Sequence, residues 1–146
     1  MSNYKVTEIY EPQDNSNHWL MQLLARPVAY HRIFAKMTGS VTVGVMLSQA
    51  FYWSKMPSVQ KRGGWFYKSA AEWEEETCLS VQEQRTARKK LSKFKWWQED
   101  KRKAKGAPTI HYRINLTVFT KELAQFAQQM EMLPATNLIC CQQQIL

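Results

Sequence analysis

The chain has 146 residues, 45% of them apolar, with six each of Trp, Tyr and Phe, which bounds it to one main domain with enough bulk for a core and no need of staples. Cys78, Cys140 and Cys141 are an odd set, no signal-peptide pattern opens the chain, and its longest apolar stretch, residues 41–53, is short of the roughly 20 residues a bilayer span requires; a reduced, cytoplasmic protein that does not enter the membrane is expected. The formal charge of +8 is concentrated, because 11 of the 20 Lys and Arg but only two of the 12 Asp and Glu lie between Arg85 and Arg113, giving +9 there and −1 elsewhere.

In chain order, residues 1–17 read as an arm or edge strand followed by a polar turn. His18 to Ala25 spaces Trp19, Leu20, Leu23 and Leu24 as a short amphipathic helix ending before Pro27. Pro27 to Met37 predicts a first core helix, with proline in its first turn and Gly39 just past its end. Ser40 or Thr42 can cap the next helix, which runs to about Lys55 and is apolar on nearly every side, so its own domain, a second subunit or both must bury it. Pro57 to Gly64 reads as a polar loop and Trp65-Phe66-Tyr67 as a short strand.

Two helix starts then stand out. Ser69-Ala70-Ala71-Glu72 and Ser80-Val81-Gln82-Glu83 are both S-x-x-E capping boxes, in which the serine side chain and the glutamate three residues on each satisfy an orphan backbone N–H. They lie 11 residues apart, which leaves a first helix of about two turns, a tight connection Thr77-Cys78-Leu79, and a second helix from Val81 to about Phe94: helix-turn-helix spacing. The second helix puts Gln84, Ala87, Leu91 and Phe94 on an apolar side and Gln82, Arg85, Lys89, Ser92 and Lys93 on the other. Trp96 to Glu99 and Ile110 to Leu116 alternate as strands around a basic loop from Lys101 to Pro108. Thr117 or Thr120 can start a last helix striped by Phe119, Leu123, Phe126 and Met130, and a Gln-rich tail follows Pro134.

The predicted fold is thus mainly α with a small β-sheet: a winged helix-turn-helix over residues 26–117, preceded by an arm and short helix (1–25) and followed by a helix (118–133) and a tail (134–146). In that arrangement the second helix enters the major groove of duplex DNA. Arg85 and Gln82 are the expected base contacts, since a guanidinium fork can bridge guanine O6 and N7 and an amide can do the same for adenine. Arg88, Lys89 and Lys93 are expected on phosphates, with Ser80 and Ser92 completing the recognition-helix set. Lys101, Arg102, Lys103 and Lys105 on the hairpin should lie along the backbone or the neighbouring minor groove.

The runs Trp65 to Ser69, Glu72 to Thr77, Leu79-Ser80, Ala87 to Leu91 and Tyr112 to Asn115, with Gln84 and the upstream Leu47 to Ser54, resemble the winged helix domains of phage and plasmid replication proteins: replication initiators, replisome organisers and DnaD-like primosomal proteins. The resemblance spans about residues 26–117 and implies origin binding, self-association and the loading of other replication proteins. Cys78 and Lys95 depart from it, standing where glycines are expected at the turn and after the recognition helix. The chain ends soon after the domain, without the further region that recruits helicase or primase in larger relatives, which puts loader activity, though not DNA binding, in doubt.

Catalysis finds little footing. Residues 39–44 match the first part of a phosphate loop, but Val45-Met46 replaces the required Lys-Ser/Thr. His18, His31 and His111 are dispersed without metal-ligand spacing, and no cofactor is expected. Glu72, Glu74, Glu75 and Glu76 read as a solvated helix face, and Trp73, Trp96 and Trp97 as core. The expected partners are double-stranded DNA and, because of the surplus apolar helices, a second copy of the chain. A transcriptional regulator of a mobile element, or a winged helix that binds protein, are the alternatives.

Overall fold

The computed structural model describes residues 18–130, so the arm and the Cys140-Cys141 tail lie outside the described residues. Within them are seven helices and a three-stranded antiparallel sheet, an α+β arrangement: α1 (His18–Leu24), α2 (Arg32–Thr38), α3 (Val41–Ser54), α4 (Pro57–Gln60), β1 (Phe66–Tyr67), α5 (Ala70–Thr77), α6 (Val81–Leu91), β2 (Trp97–Ala104), β3 (Ala107–Ile114) and α7 (Leu116–Gln129). None of these helices is long and apolar enough to cross a membrane.

Helix α3 is the axis of the core. It begins where Ser40 accepts a hydrogen bond from the Val43 N–H, and it packs against α2, α5, α6 and β3. Val43, Met46, Leu47 and Ala50 are buried, and Gly44 allows α2 to come so close that a Cβ there would stand 2.9 Å from the backbone and Cβ of Ala35. The apolar circumference that could have called for a second subunit is therefore largely covered by the chain itself, with Val41 and Tyr52 left exposed.

Several boundaries differ from expectation. Helix α2 starts at Arg32 rather than Pro27, because tertiary contacts hold His31: its N–H donates to Ser48 Oγ (3.0 Å) and its ring packs on Phe34 (4.8 Å between centroids). Gly39 ends the helix in the left-handed region, with φ 77°. Pro57 opens a one-turn helix inside what reads as a loop, and α6 stops at Leu91, three residues short of Phe94. Asn115, not a threonine, caps α7.

The sheet order is β1-β3-β2, with Phe66 opposite Tyr112 and Trp97 opposite Ile114. The hairpin has no eight-residue loop. Its ladder continues to Ala104 opposite Ala107, and Lys105 (φ 51°) and Gly106 (φ 80°) make the two-residue turn, whose paired positive φ values match the strands' twist. Pro108 fits within β3 because β1 pairs only with Tyr112 and His111, leaving that edge open beyond them.

One face of the sheet is core. Phe66 stacks on Tyr112 (5.7 Å), Trp73 of α5 meets Tyr112 edge-on (5.5 Å), and Trp97 lies against the same ring (5.7 Å). Trp96 anchors α7: its Nε1 donates to Glu122 (2.8 Å) and its ring meets Phe119 at 4.7 Å. The three tryptophans expected in the core are there.

Candidate nucleic-acid interface

Both capping boxes form. The Ser69 N–H donates to Glu72 Oε2 (2.7 Å) and the Glu72 N–H to Ser69 Oγ (3.2 Å); Ser80 and Glu83 repeat the exchange at 3.0 and 3.1 Å. The bond from the Ser69 N–H holds the Glu72 carboxyl below the usual carboxylate range. Between the helices Cys78 takes the left-handed conformation (φ 60°, ψ 13°) that glycine would adopt freely, so the turn keeps that geometry at some conformational cost. Lys95, the other departure from glycine, keeps a negative φ. Gln84 then locks the pair. Buried beneath α6, its Nε2 donates to the carbonyls of Ala70 and Leu79, both at 2.9 Å, tying the start of α5 and the turn to α6.

The outer side of α6 carries the expected set. Gln82, Arg85 and Lys89 are exposed at i, i+3 and i+7, hence on one face, and Lys93 is exposed just beyond the helix end. Ser80 and Ser92 are less free than their neighbours: the first has its hydroxyl committed to the cap, and Ser92 Oγ donates to the Lys89 carbonyl (2.8 Å).

Arg88 is turned the other way. Its Nε and Nη2 donate to the two oxygens of Glu99 on β2, both at 2.9 Å, and its guanidinium lies 6.0 Å from the Tyr112 ring. Glu99 also accepts from Trp97 Nε1 (3.1 Å). The hydrogen bonds to Glu99 push the Arg88 pKa up against the desolvation that lowers it, while burial raises that of Tyr112 against the nearby positive charge. Arg88, expected on a phosphate, is thus the strut between α6 and the hairpin. A cavity of about 210 Å³ lies beside it, lined by Ser69, Gln84, Ile110 and Tyr112 among others.

The strut sets which hairpin residues face α6. Side chains alternate along β2, so Lys101 and Lys103 share the side of Glu99 and Trp97, whereas Arg102 shares the opposite side with Gln98 and Asp100. Lys101 and Lys103, both exposed, thereby lie on the side of β2 from which Glu99 reaches α6. Arg102 is instead paired with Asp100 (2.6 Å) and stacked over Trp65 (4.8 Å), and Lys105 sits at the turn. Among the described residues Arg85, Lys89, Lys93, Lys101 and Lys103 enter no ion pair.

The acidic run of α5 divides three ways. Glu72 is spent on its cap and Glu74 and Glu75 are exposed, but Glu76 is the centre of a partly buried network. It accepts from Lys68 Nζ (2.6 Å), Gln49 Nε2 (2.8 Å) and Trp53 Nε1 (3.1 Å), while the Lys68 ammonium also lies 4.2 Å from the Trp53 ring. Reading Glu76 as part of a solvated face is corrected: it fastens α5 to α3. An apolar flank at Trp73 was the available hint, since Glu76 follows it by three residues and shares its side of the helix.

Comparison with models of protein families, with curated proteins and with solved structures finds no match for this chain.

Proposed function

We propose that α5, α6 and the β2–β3 hairpin form a winged helix-turn-helix that binds double-stranded DNA in a sequence-specific manner, in replication initiation of a phage, plasmid or other mobile element. The observation that carries the reading is a set of free cations on two elements that the Arg88–Glu99 pair joins: Arg85 and Lys89 from α6, Lys101 and Lys103 from the hairpin, all exposed and without an intramolecular counter-ion among the described residues. A solubility surface has no need to hold one helix and one hairpin in a fixed relation, yet the Arg88–Glu99 pair does that. The link to replication rests on the sequence resemblance over residues 26–117. In this reading α6 enters the major groove, Arg85 and Gln82 meet base edges, Lys89 and Lys93 meet phosphates, and the hairpin lysines follow the adjacent backbone. A second copy would cover the apolar residues left exposed on α1 and at the end of α7, Trp19, Leu23 and Met130, and sedimentation reads whether it does.

The test is duplex binding at two salt concentrations, for the wild type and an Arg85→Ala, Lys89→Ala double variant. Affinity should fall steeply with salt, with a log–log slope of about −0.9 for each phosphate neutralised, and the variant should lose most of its binding. A wild type that ignores duplex DNA at low salt removes the reading and leaves the basic surface to an acidic protein partner. Selection of bound sequences then separates an origin repeat from a promoter.

A further inference from the structure

Helices α3, α5 and α6 cover one face of the sheet, through Phe66, Tyr112 and Arg88, and the opposite face points outward. Strand alternation puts Tyr67, His111, Arg102 and Arg113 on that outward face, and Trp65, immediately before β1, falls on the same side. We propose that this outward face is a second binding surface, for single-stranded nucleic acid, separate from the duplex-binding surface of α6.

Three aromatic rings on the solvent side of so small a sheet call for an explanation, because the core already has its own set. Tyr67 and His111 are partners in the β1–β3 ladder with rings 5.2 Å apart, and both are only half-buried. Trp65, also half-buried, carries the Arg102 guanidinium over its ring at 4.8 Å. Bases need flat π-faces of this kind only when they are unstacked, so the fit is to a single strand; duplex bases are closed to such a platform.

The charge around the rings has the matching sign. Arg113 donates to the Gly63 carbonyl (2.8 Å) and to Gln98 Oε1 (2.7 Å), which pins against the sheet the turn that directly follows the exposed Lys61 and Arg62. The acidic residue of this face, Asp100, is already taken by Arg102. Aromatic platforms bordered by cations are how proteins hold single strands with little sequence preference: the rings stack bases and the cations follow the backbone. A basic peptide is repelled here, and an acidic one would gain nothing from the rings.

The proposal stands apart from the duplex reading and fails separately. Labelled oligothymidylate and oligouridylate of roughly a dozen nucleotides are titrated with the full chain at low salt and followed by anisotropy, the two oligomers distinguishing DNA from RNA as the strand preferred. Tyr67→Leu should weaken oligonucleotide binding on the order of tenfold, the loss of about one stacked base. A Lys61→Ala, Arg62→Ala variant, altered only at exposed positions and so independent of whether Tyr67→Leu folds, should weaken it comparably. Both should leave duplex affinity unchanged, while Arg85→Ala, Lys89→Ala should do the reverse. The proposal is overturned if no oligonucleotide binds, if binding follows Arg85 and Lys89 instead, if the sheet variants lower duplex affinity equally, or if an oligoglutamate peptide binds as well and Tyr67→Leu changes nothing.

Discussion

Glu76→Ala should be far more damaging than the removal of its partner's charge. The Glu76 side chain is 26% exposed and that of Lys68 only 7%, so truncating the glutamate leaves an ammonium shut away from water, with only the Trp53 and Trp73 rings for company, and deprives Gln49 and the Trp53 N–H of their acceptor. Breaking a fully buried pair in this way costs about 3–5 kcal/mol. Water can enter through the partly open Glu76 side, so about 2–3 kcal/mol is expected here. Lys68→Met keeps the aliphatic stem and leaves Glu76 with its two neutral donors and solvent, at a cost of about 1 kcal/mol. Urea denaturation separates these cases: the Glu76→Ala midpoint should fall by about 1–2 M at unchanged slope, and that of Lys68→Met by about half as much. The double variant should be more stable than Glu76→Ala alone, because the stranded charge has gone. Equal, small losses for the two single variants, or plain additivity in the double, would refute the account of a buried, charge-centred fastening.

The remaining predictions concern the turn and the strut. Cys78→Gly relieves a left-handed conformation worth about 1 kcal/mol, part of which is returned through the greater freedom of the unfolded chain, so a net gain of about 0.5 kcal/mol and a melting temperature higher by about 2 °C are expected in a reduced thermal melt; a lower melting temperature would show that the thiol contributes contacts of its own. Glu99→Gln removes the charge that holds Arg88 and frees the guanidinium toward the basic surface. If α6 binds duplex DNA, the salt dependence should steepen by about one phosphate equivalent, and a shallower slope with weaker binding would mean that the position of the hairpin matters more than the released charge.

Much of the architecture was legible because it is encoded over a few residues. The boxes at Ser69 and Ser80 close hydrogen bonds between residues three apart, so the two helix starts follow from the residue types alone, and the concentration of bases between Arg85 and Arg113 needs no coordinates. The i, i+3, i+7 spacing likewise placed Gln82, Arg85 and Lys89 on the outside of α6.

What the tertiary structure decided are the relations between residues far apart. Arg88 and Lys89 are neighbours with the same charge, and only the approach of β2 makes one a strut to Glu99 while the other stays free. Glu76 resembles Glu74 and Glu75 until Gln49, 27 residues upstream, reaches it from α3. The hairpin is the clearest case: alternation has a period of two, so whether Lys101 or Arg102 faces α6 depends on the register at Ala104 and Ala107, and that register depends on Lys105 accepting a positive φ beside Gly106. Local hydrogen bonding and composition determine where helices begin and where charge accumulates; packing determines which charges are spent inside the molecule and which remain for a partner.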